Sequence, residues 1–496
     1  MPLPEQTRSK GNSPVTNKDT DSVHPRIVVA GASGFVGMDL LRKLSSRFQV
    51  IALTRSPQAP SSLPEHFSAG VYWMQCNLFS LRQTEAALAH ARYAFYLVHS
   101  MSPGSRLTQG NHEDLDLLIA DNFSRAAAGA GVHRIVYLGG IQPTGTWLSG
   151  HLRGRLEVEQ VLRSRSANTV ALRAGLILGP GGSSSMILVR LVRRLPVLVC
   201  PTWTRKMSSP ISLRDVSDSL FEAINDESVQ PGSYDLAGPE QISYRKLMER
   251  AASEMNVRRF FIPFLGIPPG FSRLWVSTIT GASSELVAPL IQSLVVDMLP
   301  GKTAPVFDKV TAKDALMTAL HQAEMPRVPI EIAHQSVAPV AKPEIENSVV
   351  SIQRMPLPDG WTAYSVAQEY ALWLPRMLTP FIRLELSADC QQVRFFLRGL
   401  RSPILELEFI VDRSDEERAL FFVRGGLLRK KNSNPMSRLE FRVVPKMRVV
   451  LAAVLDFSPS LPWYLYLLTQ AQAHRFVMWR FTSRLKKVAL NQHVQR

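Results

Sequence analysis

Cysteine is scarce in this chain. Cys76, Cys200 and Cys390 are the only three in 496 residues, odd in number and far apart. That pattern excludes a disulfide framework and a paired-cysteine zinc site. The eleven histidines include no H-E-x-x-H, so no metal is expected. No stretch holds eighteen uninterrupted apolar residues, so there is no secure membrane span. Residues 1–25 lack the apolar core of a secretory signal and read as a disordered lead-in. Together with the sparse thiols, these absences point to a cytoplasmic protein.

What is present describes a foldable globular chain, with 45% apolar and 20% charged residues, too long for one core. Two domains are expected: residues 26–325, then a Pro/Ala-rich linker over 326–348, then 349–496. The net charge of +16 is uneven. From Arg424 to Arg496 fourteen Lys and Arg face two acids, Glu440 and Asp456, which is three-quarters of the total. Such a block attracts anionic lipid or nucleic acid; a solvated basic face fits the same residues. No motif that reads nucleic acid accompanies it, so no specific nucleic-acid partner is expected.

The strongest functional signal is RIVVAGASGFVGMDLLRKLSSRFQVIALTR, residues 26–55. A short apolar strand ends in Gly31, Gly34 and Gly37 at G-x-x-G-x-x-G spacing. A helix follows, with Val36, Leu40, Leu41 and Leu44 on one face, and then a second apolar strand. Backbone N–H groups at a helix N-terminus hold a pyrophosphate, and the helix dipole favours its charge. The glycines permit the sharp turn, the close approach and the helix packing this requires. Gly31, Ser33, Gly34, Phe35, Val36 and Gly37 are therefore the candidate phosphate-binding residues. An NAD site usually carries an acid about 20 residues on, to bond the ribose 2′-hydroxyl. Here Thr54-Arg55-Ser56 stands instead, and a guanidinium pairs with a 2′-phosphate. NADP(H) is thus preferred over NAD(H), with Arg55 as the discriminating residue.

Further strands are expected at Val71–Cys76, Tyr93–Val98, Arg134–Leu138 and Thr169–Ala174, and helices at Glu113–Ala130 and His151–Arg163. Alternation of this kind means a doubly wound α/β parallel sheet, with ligand at the strands' C-terminal ends. The motifs Gly31-x-x-Gly34-x-x-Gly37, Tyr96-Leu97-Val98-His99-Ser100-Met101, His151-Leu152-Arg153-Gly154-Arg155-x-Glu157-Val158-Glu159, Leu172-Arg173-Ala174-Gly175-x-Ile177-x-Gly179 and Asp235-Leu236-Ala237-Gly238-Pro239-Glu240 occur in this order. On them, residues 26–320 resemble the atypical, extended-type short-chain dehydrogenase/reductases. The resemblance is to the bacterial NAD(P)-binding group with a C-terminal domain of unknown function.

The resemblance implies roles. Asn77 and Leu78 fall where the family contacts adenine; Leu97, Val98 and His99 would line the path from adenosine to nicotinamide; Gly175–Gly179 would border nicotinamide and substrate. The family's catalytic Ser and Tyr-x-x-x-Lys are replaced, the first by Gly139-Gly140 and the second by His151-x-x-x-Arg155. Arg155 would keep the ribose bond and positive field of the missing Lys, and His151 would be the acid or base. Two functions fit: a redox or isomerase activity using these substituted residues on an unknown, apolar substrate, and an NADP(H) sensor or assembly factor without turnover. Trp203, Arg205 and Lys206 suit an anionic substrate or an exposed basic loop. The apolar stretch Phe260–Leu299 suits a pocket, an interfacial contact or a buried lobe.

Beyond the linker the pattern becomes strand-rich, at Val393–Leu397, Ile404–Val411, Ala419–Val423, Leu439–Val444 and Arg448–Leu455, closed by a long helix over Trp463–Val488. This α+β module, with Ser437-Arg438-Leu439-Glu440-Phe441-Arg442, resembles the C-terminal domain of the same group, which is similar to a helix-grip fold with a ligand cavity. In the last helix Phe476, Trp479 and Phe481 interleave with Arg475, Arg480, Arg484, Lys486 and Lys487. Peripheral membrane contact and a core helix with a basic outer face both fit.

Overall fold

A computed structural model of the chain describes residues 25–55, 70–99, 105–143, 148–166, 168–264, 276–282, 287, 291–301, 313–318, 346–389, 391–431 and 433–494. The lead-in up to residue 24, Ser100, Met101, Cys390, residues 265–275, 283–286 and 288–290 of the apolar stretch and the linker to residue 345 lie outside them.

The first sheet alternates strands with helices. In chain order they are β1 (Arg26–Ala30), α1 (Phe35–Leu44), β2 (Gln49–Thr54), β3 (Val71–Gln75), α2 (Leu81–Leu88) and β4 (Tyr93–Tyr96). After β5 (Ser105–Gln109) come α3 (His112–Gly129), β6 (Arg134–Gly140), α4 (Gly150–Arg165), β7 (Thr169–Ala174), α5 (Ser183–Arg194), β8 (Val197–Cys200), α6 (Leu213–Asn225), β9 (Gly232–Leu236), α7 (Tyr244–Glu254) and β10 (Phe260–Pro263). Seven strands pair in parallel in the order β9-β7-β6-β4-β1-β2-β3. The strand order reverses between β1 and β4, and open α/β sheets bind ligands in the crevice at such a switch point. The strands are apolar on both faces because helices cover both: Val28 and Ala30 pack towards α3, Ile27 and Val29 towards α1 and α6.

The second sheet has eight strands. Those from the C-terminal part are β11 (Glu346–Pro356), β12 (Ile382–Leu386), β13 (Gln392–Leu397), β14 (Leu405–Phe409), β15 (Arg418–Gly425), β16 (Arg438–Val444) and β17 (Val449–Phe457), with helices α8 (Ala363–Met377), α9 (Trp463–Leu468) and α10 (Gln470–Val494). The order is β12-β13-β14-β15-β16-β17-β11-β5. All pairs are antiparallel except the last. There β5, from the segment following His99, lies parallel to β11, with Leu107 opposite Val349 and Gln109 opposite Ser351. Gly110 ends this strand so close to β11 that a Cβ would lie 2.9 Å from the Ile352 carbonyl oxygen.

Both faces of this sheet are covered. Val450 and Ala452 of β17 pack with Phe481 and Leu485 of α10 and Ala363 and Val366 of α8. Leu451, Ala453 and Leu455 point the other way and share a core with Leu115, Leu118 and Phe123 of α3. Every residue of α3 from Asp114 to Ser124 is consequently buried.

The elements α2, β5, β9, α7, α8 and β12 go beyond the sequence reading, and β11 begins within the expected linker. The expected helix over Trp463–Val488 is two helices. Thr469 leaves helical dihedrals (φ −119°, ψ −81°), and Tyr466 is buried in a cluster with Val349 and Ala471. Trp203 is buried edge-on against Tyr244, and Lys206 pairs with Asp297 at 3.5 Å; of that trio only Arg205 is exposed.

Candidate functional site

The turn between β1 and α1 is shaped for close approach. Gly31 has φ +86°, and a Cβ there would lie 2.7 Å from the Leu97 carbonyl oxygen at the end of β4. At Gly37 a Cβ would lie 2.3 Å from the Gly31 oxygen, so no larger residue lets α1 start here. The Gly34 N–H donates to the Gly31 oxygen (3.0 Å), and Gly34 is the N-cap residue. No side chain caps the helix, and Ser33 and Gly34 are exposed. Uncapped first-turn amides at an open helix N-terminus suit an anion. Phe35 turns its ring to the Gly179–Gly182 turn that opens α5; a Cβ at Gly182 would lie 2.9 Å from it.

Arg55 is exposed directly after β2, and its carbonyl oxygen accepts from Gln75 Nε2 (3.3 Å). Asn77 sits in a turn after β3, its Oδ1 accepting from the Phe79 N–H (3.1 Å). Asn122 of α3 fastens that turn by donating Nδ2 to the carbonyls of Leu78 and Phe79 (2.9 and 3.0 Å). Arg438 of the second sheet donates Nη2 to the same Phe79 oxygen (2.9 Å).

Residues 31–190 match the NAD(P)H-binding family. Residues 31–190 are an NAD(P)H-binding domain. A stretch of 116 residues, 23% of this chain and 36% of the relative, is 28% identical to the auxiliary protein GraX of Staphylococcus aureus. The chain thus spans little more than a third of that relative's length. Among solved structures it is similar to a Citrobacter triphenylmethane reductase complexed with NADP(H), at TM-score 0.47 and 15% identity, covering 59% of this chain and 99% of that one. It is also similar to an Escherichia coli NADPH-dependent quinone oxidoreductase complexed with NADPH, at TM-score 0.43 and 18% identity, covering 54% and 88%.

In the NAD(P)H-binding domain the ends of β4 and α4 bring together residues far apart in the chain. The rings of His99 and His151 stand 4.9 Å apart between centroids. His99 Nδ1 lies 3.3 Å from Asp116 Oδ2 of α3. Arg155, one turn beyond His151 on α4, donates Nη1 to the Val98 carbonyl (3.2 Å). Its own backbone carbonyl accepts from the Tyr137 hydroxyl (3.1 Å). Ser149 caps α4 by accepting from the Leu152 N–H (3.2 Å), which places His151 in the first turn.

Electrostatics keep both imidazoles neutral at pH 7. Burial, then His99 and the Arg155 cation, push His151 down to about 3. Burial and Arg155 also lower His99, against the opposing pull of Asp116. With Asp116 at Nδ1, the neutral His99 tautomer carries its proton on that nitrogen and leaves Nε2 as an acceptor. Gly139 and Gly140 end β6 without a hydroxyl, and a Cβ at Gly139 would lie 2.8 Å from the Tyr137 ring.

Asp116 is the member of this cluster that the sequence reading passed over. Its signal was an acid inside a helix with no solvent face: Asp114, Asp116 and Asp121 all lie on the buried length of α3, and each meets a partner. Among the described residues no group of three or more His, Cys, Asp or Glu is arranged to hold a metal, and Cys76 and Cys200 are buried free thiols.

Proposed function

We propose that this chain is an NADP(H)-preferring oxidoreductase of the atypical short-chain dehydrogenase/reductase type, acting on an apolar carbonyl or conjugated substrate. The observation that carries the proposal is the grouping of His99, His151, Arg155 and Asp116 beside the glycine turn, at the switch point of the sheet. Val197, Val199, Phe260 and Ile262, exposed on the small parallel pair β8–β10, support an apolar substrate. The sequence Thr54-Arg55-Ser56 at the end of β2, which carries a cation and no acid, supports the 2′-phosphate.

The glycine cradle and uncapped α1 fit a dinucleotide: Gly31, Ser33, Gly34, Phe35, Val36 and Gly37 would hold the pyrophosphate, and Asn77, Leu78, Leu97 and Val98 would meet the adenosine side. When bound, NADPH supplies a hydride. Arg155 supplies fixed positive charge where negative charge grows on the substrate oxygen. Neutral His151 donates an N–H to that oxygen, since its imidazolium is absent at pH 7. His99, oriented by Asp116, packs its ring against His151 and holds it in place.

Titration by nucleotide fluorescence tests the cofactor half. NADPH should bind about tenfold tighter than NADH, and Arg55→Ala should erase that ratio; equal affinities in the wild type would remove the preference. Turnover with quinones and enones tests the chemistry. His151→Ala should slow kcat about a hundredfold and leave NADPH affinity unchanged. Tight NADPH binding with no turnover across such a panel would favour the sensor reading, for which Gly139-Gly140 in place of a hydroxyl speaks.

A further inference from the structure

The outer face of α10 has a composition that packing within the domain does not explain. At 100° per residue, Met478, Phe481 and Leu485 fall on one arc and are 2%, 0% and 0% exposed, filling the core against α8 and the sheet. The opposite arc carries Phe476, Trp479 and Leu490, which are 51%, 60% and 63% exposed. The Phe476 and Trp479 rings touch, 6.1 Å between centroids. Exposed Arg475 and Lys486 border this strip on one side, exposed Arg480 and Lys487 on the other. Just before it, α9 leaves Tyr464, Leu465 and Leu468 at 66%, 39% and 74%. From Trp463 to Arg496 there are six Lys and Arg and no acid.

We infer that α9 and the outer face of α10 form a docking surface for an anionic lipid membrane, with the helix lying in the plane of the interface. Aromatic rings settle at the boundary between headgroups and acyl chains, while flanking cations reach up to lipid phosphates. The charge complements anionic headgroups and nothing else of low charge. Nucleic acid would also use the cations and rings, but solvent-facing Leu465, Leu468 and Leu490 have no role on a phosphate backbone, whereas each adds buried apolar area in a bilayer surface. The basic outer face and the interfacial helix are thus the same feature: core residues point in, and interfacial residues point out.

Co-sedimentation of the full chain with vesicles tests this. Vesicles of phosphatidylcholine mixed with phosphatidylglycerol should carry the protein down, and phosphatidylcholine alone should do so at least about tenfold less well. Phe476→Ser with Trp479→Ser should abolish binding, and Lys486→Glu with Lys487→Glu should weaken it more than about tenfold. If the first pair melts early by circular dichroism, Leu468→Ser with Leu490→Ser reads the same surface. No sedimentation with either vesicle overturns the inference. So does binding that neither the charge reversals nor the serine variants change. Binding of duplex DNA by the wild type, lost in the same variants and without vesicle binding, would assign the surface to nucleic acid instead.

Discussion

Alternate residues of one strand, β16, face two different environments. Leu439 and Phe441 pack into the oily core beneath α8 and α10. Arg438, Glu440 and Arg442 point the opposite way and are 5%, 1% and 0% exposed. Glu440 accepts from Arg418 Nε (3.0 Å), Arg438 Nε (2.8 Å) and Arg442 Nη2 (2.8 Å), and Arg442 also reaches Asp121 of α3. Asp121 is further bonded by Arg125 and Arg165, which continue to Asp415 and Glu417. Burial alone would raise both carboxyls. The surrounding guanidiniums instead hold Glu440 well below, and Asp121 below, the ordinary range. Strand alternation therefore reveals that two faces differ, and leaves open whether the polar one meets water or another domain. The oily face tolerates any packing of about the right volume; a network of directed, paired charges accepts one docking geometry.

That contrast is most directly broken at Glu440. Glu440→Gln keeps the shape and leaves three buried guanidiniums undercompensated, so stability should fall by about 3–5 kcal/mol in urea unfolding. Phe481→Ala, on the oily face, should cost about the same by leaving a cavity. The two are separated by partial compensation: a Phe481→Leu change should recover most of the loss, whereas Glu440→Asp, whose carboxylate no longer reaches all three partners, should recover little. A cost below about 1 kcal/mol for Glu440→Gln would mean that water reaches the seam and the contrast is false.

A smaller effect is expected at the rim. Arg354 of β11 donates Nε to Asp114 of α3 (2.6 Å) and both terminal nitrogens to Glu157 of α4 (2.8 and 2.6 Å), tying together the helices that carry Asp116 and His151. It keeps some solvent contact, so Arg354→Met should cost about 1–3 kcal/mol. Arg354→Lys should restore only part, since an ammonium lacks the planar fork.

The smallest and most specific effect is in pH. Burial lowers His474, which meets Ser351 at 3.1 Å, to about 4, and His151 is near 3. The unfolded chain binds these protons at ordinary imidazole values, so stability is complete above about pH 6.5 and is lost as pH falls towards the folded values. The urea midpoint should already drop between pH 6.5 and 5, and His474→Gln should flatten that slope. The carboxylates of the ionic face act lower: Asp121 and Glu440 contribute above the ordinary carboxylate range and are lost below it. A midpoint flat down to pH 5 would show that these imidazoles charge freely in the folded protein.

Much of the nucleotide-binding half was legible from the chain. The β7 strand Thr169–Ala174 has the expected limits, and the glycine turn lies between β1 and α1 as its spacing required. Each depends on residues within about thirty positions, where period and turn chemistry act. The second sheet was legible as a meander with a terminal helix. Its edge partner β5 was not, because a five-residue strand (SRLTQ) with little apolar character has no local signal for a partner some 240 residues away.

On its own, the amino-acid order determined the parallel sheet, the glycine turn between β1 and α1 and the absence of an acid directly after β2. These are properties of neighbours: a glycine is needed where the next turn of backbone would collide with a Cβ. Only the tertiary structure decided that His99 meets His151 and Asp116, that the charged side of β16 is interior, and that Phe476 and Trp479 point outward while Phe481 points in. Those outcomes depend on which surfaces cover one another, and burial is a property of the assembled fold rather than of any stretch of chain.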